Sequence, residues 1–219
     1  KYLDRFLQIL YEIFAFIIYR LSDCSITEES YKTLTSALAS NSHLIELDLR
    51  GNDPGQSGVK VIMDFLQSGW FKLKNIRLNN IKLKKKSCLV LATVLSKNNT
   101  LKEMDLSKSL LLDSGVKEIC EGLKKPECKL KILKLCDCGL TEESCSALAT
   151  VLRSNPSLKE LDMSNNNLQD SGVKKLQKGL ENSKVKHCLI LVITFSFRFG
   201  YNTLHSNCIL VTFPGNAVM

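Results

Sequence analysis

Apolar residues recur along most of the chain in the same arrangement, within successive segments of 28 or 29 residues. Each segment carries large, mainly apolar residues at positions 1, 4, 6 and 11, and position 9 is Asn, Cys or a substitute. The residues at position 1 are Phe16, Leu44, Leu73, Leu101, Leu130 and Leu158. Self-similarity at a fixed period indicates a repeat protein. We therefore divide residues 16–182 into six repeats and number the positions within each from its first apolar residue.

A second pattern follows the first in every repeat, and its spacing is that of a helix. A small residue precedes an apolar one, and further apolar residues follow at intervals of three and seven, as at Gly115, Val116, Ile119 and Leu123. These intervals place the apolar side chains in one stripe on a helix. Neither the strand nor the helix of one repeat can bury its apolar face without neighbouring repeats. The predicted fold is an α/β leucine-rich-repeat solenoid, a horseshoe-shaped arc with parallel β-strands on its concave side and α-helices on its convex side.

Two segments carry a resemblance to a known family. Leu21–Ser30 is LSDCSITEES, and Leu135–Ser144 is LCDCGLTEES. Together with the alternating period, they resemble ribonuclease inhibitor, and they are still more similar to the C-terminal leucine-rich repeats of NOD-like receptors with a NACHT domain. The resemblance implies a cytoplasmic protein-interaction region that senses a ligand or holds an innate immune receptor inactive. The alternative that it implies is a free-standing enzyme inhibitor similar to ribonuclease inhibitor. The partners of that inhibitor are strongly cationic, whereas this array is basic, so we favour the receptor hypothesis.

The two ends of the chain lack the repeat pattern. Residues 1–15 form an irregular apolar segment, and residues 183–219 form an irregular tail. A seventh repeat should begin near His187, but the expected spacing of apolar residues is absent there. The apolar stretches Phe6–Tyr19 and Cys188–Phe197 are shorter than the ~20 residues of a membrane-spanning helix. We therefore expect no membrane span.

Three departures from the pattern predict local weakness. Pro54 stands at position 11, where the other repeats have Leu or Ile, which predicts a stiffer and less filled second turn. Ile81 and Ser109 replace the Asn or Cys of position 9 and should weaken the inward hydrogen bonds in the middle of the array. Lys84–Lys86 replaces the Thr-Glu-Glu of other helix starts. Because cations oppose the positive end of the helix dipole, we expect the third helix to begin poorly.

Position five carries charges of alternating sign on the predicted concave face. The residues are Arg20, Asp48, Arg77, Asp105, Lys134 and Asp162. They form either a recognition stripe for a partner or pairs with their neighbours that keep the sheet in solution. We favour the second interpretation. Exposed ion pairs of this kind contribute only ~0–1 kcal/mol each.

Position two carries four consecutive lysines on the same face. The residues are Ile17, Ile45, Lys74, Lys102, Lys131 and Lys159. Neighbouring lysines repel one another, and an acidic partner would relieve the repulsion and accelerate association. Alternatively this is a solvated edge, partly neutralised by Glu46, Glu103 and Glu160, and both interpretations stay open. From positions two and five, the candidate partner-binding residues are Lys74, Arg77, Lys102, Asp105, Lys131, Lys134, Lys159 and Asp162.

The net charge of +8 is concentrated in the third repeat. Between Lys72 and Thr100 there are eight basic residues and no acidic one. Such a patch attracts anions, although a solvated face is its commoner explanation. No aromatic residues alternate with these lysines, so we do not expect binding of single-stranded nucleic acid.

No chemistry beyond binding is predicted. The nine cysteines are odd in number and several occupy apolar positions, which favours reduced thiols in a cytoplasmic protein over a disulfide framework. There is no phosphate-binding loop, metalloprotease motif or dinucleotide loop, and the three histidines are far apart. We therefore expect no enzyme activity, cofactor, metal or small-molecule substrate, and one protein partner, for which the lysines suggest acidic character.

Overall fold

The computed structural model describes residues 18–39, 43–68, 72–97, 100–181, 189–195 and 206–211. Strands and helices alternate from the first described residue to Glu181. In chain order the elements are β1 (Ile18–Arg20), α1 (Glu28–Ala39), β2 (Glu46–Asp48), α2 (Gly55–Ser68), β3 (Asn75–Arg77), α3 (Lys85–Lys97), β4 (Glu103–Asp105), α4 (Leu112–Leu123), β5 (Ile132–Lys134), α5 (Glu142–Ser154), β6 (Glu160–Asp162), α6 (Gln169–Glu181), β7 (Leu189–Phe195) and β8 (Ser206–Val211).

One sheet runs through the whole array. Strands β1 to β7 are parallel and pair in chain order, and β8 pairs antiparallel with β7. Residues of the same repeat position face each other, as Leu47 faces Ile76 and Met104 faces Leu133. The strands line the concave side and the helices the convex side of an open arc. The predicted leucine-rich-repeat solenoid is therefore confirmed.

The hydrophobic core lies between the strands and the helices and is continuous along the array. Positions 4 and 6 are buried in the second to sixth repeats, and Leu133 and Leu135 have no exposed surface. The helices contribute their predicted stripe, including Val116 and Ile119, which are also fully buried. Burial of such side chains contributes roughly 1.5–3 kcal/mol each. Since the buried residues form one cluster that spans the repeats, neighbouring repeats stabilise one another.

Successive repeats differ in a regular way, so the true period is two repeats. Helices α1, α3 and α5 begin at position 13, whereas α2, α4 and α6 begin one position earlier. In the second group the first helical residue, Gly55, Leu112 or Gln169, has a positive φ angle. Equivalent residues in this two-repeat period are 57 positions apart, as Lys85 and Glu142 are.

Helix α3 begins at the regular place despite its three lysines. It spans Lys85–Lys97, and Lys85 is equivalent to the first residue of α1 and of α5. Cys88, Leu91 and Leu95 on its inner face are buried. The prediction of a poor start is therefore wrong, because burial of the apolar face outweighs an unfavourable dipole interaction of less than about 1 kcal/mol.

The turn at Pro54 is filled by an unusually large neighbour. Tyr31 is fully buried and stands where the other repeats have Val or Cys. A Cβ atom on Gly58 would lie 2.7 Å from Pro54 Cβ and 3.2 Å from Tyr31 Cδ2, so both side chains lie against this glycine. The prediction of a less filled turn is therefore wrong, because the tyrosine ring compensates for the small proline. Burial, with a smaller effect of Asp53, raises the pKa of Tyr31 to about 12.

Asparagine at position 9 joins one repeat to the preceding one. Asn166 Oδ1 accepts hydrogen bonds from the N–H groups of Cys138 and Leu140, both at 3.0 Å. Its Nδ2 donates to the carbonyl oxygens of Leu135 and Met163 at 2.8 and 3.0 Å. These backbone groups lie beyond the strand ladder and would otherwise lack partners.

The substitutes at position 9 make fewer such bonds. Asn52 repeats the arrangement of Asn166, whereas the hydroxyl of Ser109 donates to Leu78 O at 3.0 Å and to Ser107 O at 3.4 Å. Ile81 has no hydrogen-bonding side chain. Cys138 in the fifth repeat also donates two bonds, to Leu106 O at 3.2 Å and to Cys136 O at 3.5 Å. The predicted weakening is therefore confirmed for Ile81 in the third repeat, whereas Ser109 makes fewer bonds than Asn but as many as Cys138.

The sheet extends beyond the sixth repeat. Leu161 of β6 faces Ile190 of β7, 29 residues further along the chain, and Ile190 is buried. The expectation of an irregular tail therefore does not hold for β7 and β8. The predicted apolar segment 1–15 lies outside the described residues.

Within the described residues, no helix is both long and apolar enough to cross a membrane. The seven cysteines described here are free thiols, and five of them are buried. Burial raises the pKa of Cys120 to about 12, with smaller effects of charges nearby.

Replacing Asn166 with alanine should destabilise the array strongly. Five backbone groups, including Ser164 O at 3.1 Å, would lose this partner. Since each unsatisfied group costs about 1–3 kcal/mol, we expect the free energy of unfolding to fall by at least about 3 kcal/mol. Urea unfolding followed by circular dichroism measures this. Asn167→Ala, at the exposed neighbouring position, is the matched control and should change stability by less than about 0.5 kcal/mol. Equal effects of the two variants would contradict the role of Asn166 in joining neighbouring repeats.

Replacing Gly122 with alanine should also destabilise the chain, although helix propensity alone favours alanine by up to about 1 kcal/mol. A Cβ atom on Gly122 would lie 2.3 Å from the carbonyl oxygen of Ala92, because α3 and α4 pack closely there. We expect a loss of roughly 1–3 kcal/mol from overpacking, measured by thermal unfolding. Ser146→Ala, on an exposed helix surface, should leave stability unchanged or slightly higher. An increase in stability for Gly122→Ala would disprove the close packing.

Candidate protein-binding face

The concave face is formed by the residues that point away from the core. Position 4 points inward in every strand, so positions 3 and 5 on either side of it point outward. Their registers run straight across the sheet, as Glu46, Asn75 and Glu103 show at position 3. The face is therefore a set of parallel columns, each made of the same position in successive repeats.

Two glutamates at position 3, Glu46 and Glu103, pair with basic residues at position 5 of both neighbouring strands. Glu46 accepts from Arg20 Nε at 3.1 Å and from Arg77 Nη1 at 2.7 Å, and Asn75 Nδ2 donates to it at 3.3 Å. Its side chain is only 8% exposed. Burial by itself would raise the pKa of Glu46, but the hydrogen bonds from Arg20, Arg77 and Asn75 outweigh it and lower the pKa below the usual value. Glu46 is therefore ionised and joins three strands.

Glu103 continues the same network towards the C-terminus. Arg77 Nη2 lies 3.6 Å from Glu103 Oε1, and Lys134 Nζ lies 3.2 Å from the same oxygen. Arg77 thus contacts one glutamate on each side. Two of the candidate partner-binding residues, Arg77 and Lys134, are therefore already engaged within the face.

The aspartates at position 5 turn away from their basic neighbours. Each accepts a hydrogen bond from the backbone N–H two residues later, at 2.9 to 3.1 Å. Asp48 also pairs with Arg50, and Asp105 accepts a further bond from the hydroxyl of Ser107 at 2.7 Å. The three acceptor residues are Asp48, Asp105 and Asp162. Of the candidates, Asp105 and Asp162 are thus used to shape the chain at the end of their strands.

The four lysines of position 2 form one column in register. The N–H of Lys102 donates to Lys74 O at 2.6 Å, that of Lys131 to Lys102 O at 2.8 Å, and that of Lys159 to Lys131 O at 2.7 Å. Lys74, Lys131 and Lys159 are exposed, and Lys102 is half-buried. Lys74, Lys131 and Lys159 form no ion pair with any residue that the structure describes. Ile17, the first member of this position, lies outside the described residues.

Two features of this face were not assigned from the sequence. Glu46 and Glu103 were treated only as partial neutralisers of the lysines, although Glu at position 3 of every even repeat is a visible signal. The second feature is that position 8 has a positive φ angle in every repeat, which turns the chain off the face. The residues are Asp23, Gly51, Asn80, Lys108, Asp137 and Asn165. Asp, Asn and Gly tolerate this conformation best, and Lys108 is the exception.

Sequence comparisons agree with the fold and with the repeat length. The family model described as Leucine Rich repeat matches residues 40–63 and 154–176. The chain is 43% identical to a ribonuclease inhibitor of Sus scrofa over 76% of its own length and 36% of that protein. It is 40% identical to NACHT, LRR and PYD domains-containing protein 12 of Mus musculus over 74% of its length and 15% of that protein. The chain thus spans well under half the length of these curated relatives.

Comparison with solved structures supports the same fold. The C-terminal domain of tropomodulin from Caenorhabditis elegans aligns with a TM-score of 0.52, covering 64% of this chain and 83% of that domain. Its sequence is 20% identical, so this likeness concerns the fold alone. From its repeats, register and relatives, the chain is a leucine-rich-repeat protein, similar over its repeats to ribonuclease inhibitors and to NACHT, LRR and PYD domains-containing proteins.

Proposed function

We propose that this chain is a protein-protein interaction module whose concave face binds an acidic surface of a partner. The observation that carries the proposal is the column of Lys74, Lys102, Lys131 and Lys159. These residues pair in register at the N-terminal ends of four successive strands. Several other charges of the face pair with one another, as Arg77 does with Glu46 and Glu103. Lys74, Lys131 and Lys159 are exposed and form no ion pair within the described residues, so their charges are available to a partner.

The spacing of the column makes an acidic partner favourable. Adjacent parallel strands are about 4.8 Å apart, so successive lysines lie well within the screening length of about 8 Å at physiological ionic strength. Their mutual repulsion is a cost that an acidic surface would convert into attraction. Complementary charge would also increase the association rate.

The residues of the network have a second role in this proposal. Arg77 and Lys134 hold neighbouring strands together through Glu46 and Glu103. A partner therefore meets a face whose geometry is already determined, which reduces the entropy lost on binding. At the C-terminal ends of their strands, Asp105 and Asp162 accept hydrogen bonds from the backbone N–H two residues later and fix the course of the chain.

We further infer that the module is the ligand-sensing or autoinhibitory repeat region of a cytoplasmic NOD-like receptor in innate immunity. Support comes from relatives named NACHT, LRR and PYD domains-containing proteins, which match the chain over 71% to 85% of its length. The sequence motifs Thr-Glu-Glu-Ser, at residues 27–30 and 141–144, and Asp-Ser-Gly-Val, at residues 113–116 and 170–173, support the same hypothesis. In this proposal the partner is either a ligand or another part of the receptor.

A second candidate function is inhibition of a ribonuclease. It is favoured by identities of 43% and 39% to ribonuclease inhibitors of Sus scrofa and Mus musculus. The lysine column speaks against it, because a basic enzyme would be repelled by the exposed charges of Lys74, Lys131 and Lys159. We therefore rank it below the receptor hypothesis.

Charge reversal of the column should abolish partner binding. The variant replaces Lys74, Lys102, Lys131 and Lys159 by glutamate and is compared with wild type by affinity capture from cytosol and quantitative mass spectrometry. We expect specific partners of the wild type to be lost by at least tenfold from the variant. Captured partners should also be released when the salt concentration is raised, because salt screens charge pairs and does not weaken apolar contacts.

The matched control makes the same change of net charge on the helical side. It replaces Lys32, Lys125, Lys174 and Lys175, which are exposed, by glutamate. Partners retained by this control but lost from the column variant identify the concave face. If both variants lose or keep the same partners, the column is not the binding site.

Inhibition assays separate the two candidate functions. The full chain should not inhibit a pancreatic-type ribonuclease at nanomolar concentration, because of the lysine column. Glutamate substitution of the four lysines should not reduce whatever weak inhibition is present. Tight inhibition by the wild-type chain would replace the receptor hypothesis with the inhibitor hypothesis.

A further inference from the structure

The joint between α4 and α5 is closed by a carboxylate. Asp113 of α4 accepts hydrogen bonds from Thr141 N at 2.9 Å, Thr141 Oγ1 at 2.7 Å and Ser144 N at 3.2 Å. Burial by itself would raise the pKa of Asp113, but these bonds from Thr141 and Ser144 outweigh it and keep the pKa below the usual value. The anion therefore lies at the N-terminal end of the next helix, where the helix dipole stabilises it.

The equivalent joint between α2 and α3 has no such carboxylate. In the 57-residue period, Gln56 and Lys84 occupy the places of Asp113 and Thr141, while Ser87 is retained in the place of Ser144. Within the described residues, Gln56 forms no hydrogen bond with Lys84 or Ser87. We call the hydrogen bonds of Asp113 to Thr141 and Ser144 the clamp between the fourth and fifth repeats. This clamp has no equivalent between the second and third repeats.

A groove of about 570 Å³ opens at this joint. Its apolar lining consists of Val90 of α3, which is half-buried, and of Val59 and Met63 of α2, which are largely buried in the core. The same groove is lined by Gln56 and Ser87, the two residues that mark the missing clamp. The opening thus coincides with the place where the repeat pattern is broken.

The rim of the groove is strongly basic. Its charged residues are Lys60, Asp64, Lys84, Lys85 and Lys86. Lys85 pairs with Glu118 at 3.2 Å, so its charge is partly used within the fold. Lys60, Lys84 and Lys86 are exposed and form no ion pair with other described residues. The joint therefore has excess positive charge where its counterpart holds a negative one.

We propose that this groove binds an acidic segment of a partner protein, with one carboxylate in the place that Asp113 occupies at the next joint. Lys84 and Lys86, together with the N-terminal end of α3, receive that carboxylate. An apolar side chain next to it in the segment packs on Val59, Met63 and Val90. The site lies on the helical side of the array, so it is independent of the lysine column on the concave face.

The mixed character of the groove determines this choice of ligand. A free inorganic anion would leave the half-buried Val90 uncovered, and the described lining residues include no aromatic side chain that could stack a nucleic-acid base. A peptide supplies a carboxylate and an apolar side chain at adjacent positions. An open groove between two helices also admits a chain that enters at one end and leaves at the other.

The test supplies the missing carboxylate from within the protein. Gln56→Asp combined with Lys84→Thr reproduces the residues of the closed joint. A random 12-residue peptide library is selected on the full wild-type chain and depleted on this double variant. We expect surviving peptides to carry Asp or Glu beside a large apolar residue and to bind the double variant at least tenfold more weakly. The midpoint of thermal unfolding of the double variant should be equal to or higher than that of the wild type.

A second pair of variants guards against effects on folding. Lys84→Ala with Lys86→Ala should also weaken the selected peptides, whereas Lys174→Ala with Lys175→Ala should not. Glutamate substitution of the concave lysine column should leave these peptides bound, which separates this proposal from the proposed function.

Three results would overturn the proposal. The first is that no peptide survives depletion. The second is that surviving peptides lack the combination of an acidic and an apolar residue. The third is that the wild-type chain sediments with phosphatidylserine vesicles in a way that the double variant abolishes, while no peptide binds, because the groove would then recognise a lipid surface.

Discussion

No single repeat of this protein can bury its own apolar residues, and every other feature depends on that constraint. Stacking in one register brings equal positions together, so the leucines of positions 1, 4 and 6 become a continuous core. The same stacking leaves backbone groups at the strand ends without ladder partners, and Asn52 and Asn166 supply them. Since neighbouring repeats hold each other in place, even the lysine-rich start of α3 is tolerated.

The periodic part of the structure could be predicted from the sequence, and the joints between repeats could not. Leucine spacing predicts the strands, the helices and the register because those depend on burial at fixed intervals. Compensation between Tyr31 and Pro54 was not predictable, since the two residues belong to different repeats and meet only through Gly58. The strand β7 was missed for a related reason. Pairing with β6 needs backbone groups and one buried residue at Ile190, and it does not require the full leucine pattern.

The charged residues of the candidate face illustrate the same limit. Alternating signs at position 5 suggest pairing along one column, but the structure pairs Arg77 with Glu46 and Glu103 in a different column. Side-chain length explains this outcome, because an aspartate is short enough to accept a bond from its own backbone and an arginine reaches across the strand. Lys74, Lys131 and Lys159 of the lysine column keep their charge available, since they form no ion pair with another described residue.

The two-repeat period also limits how an array of this kind can change in length. Arg20, Arg77 and Lys134 belong to odd repeats, and the glutamates that accept their hydrogen bonds belong to even ones. Loss of one repeat would bring two repeats of the same kind side by side, with like charges facing each other and with no Asp113-type clamp at the new joint. Loss of a pair would keep the alternation of charge. A change of length in steps of 57 residues therefore preserves the charge pattern of position 5, and a change by a single repeat does not.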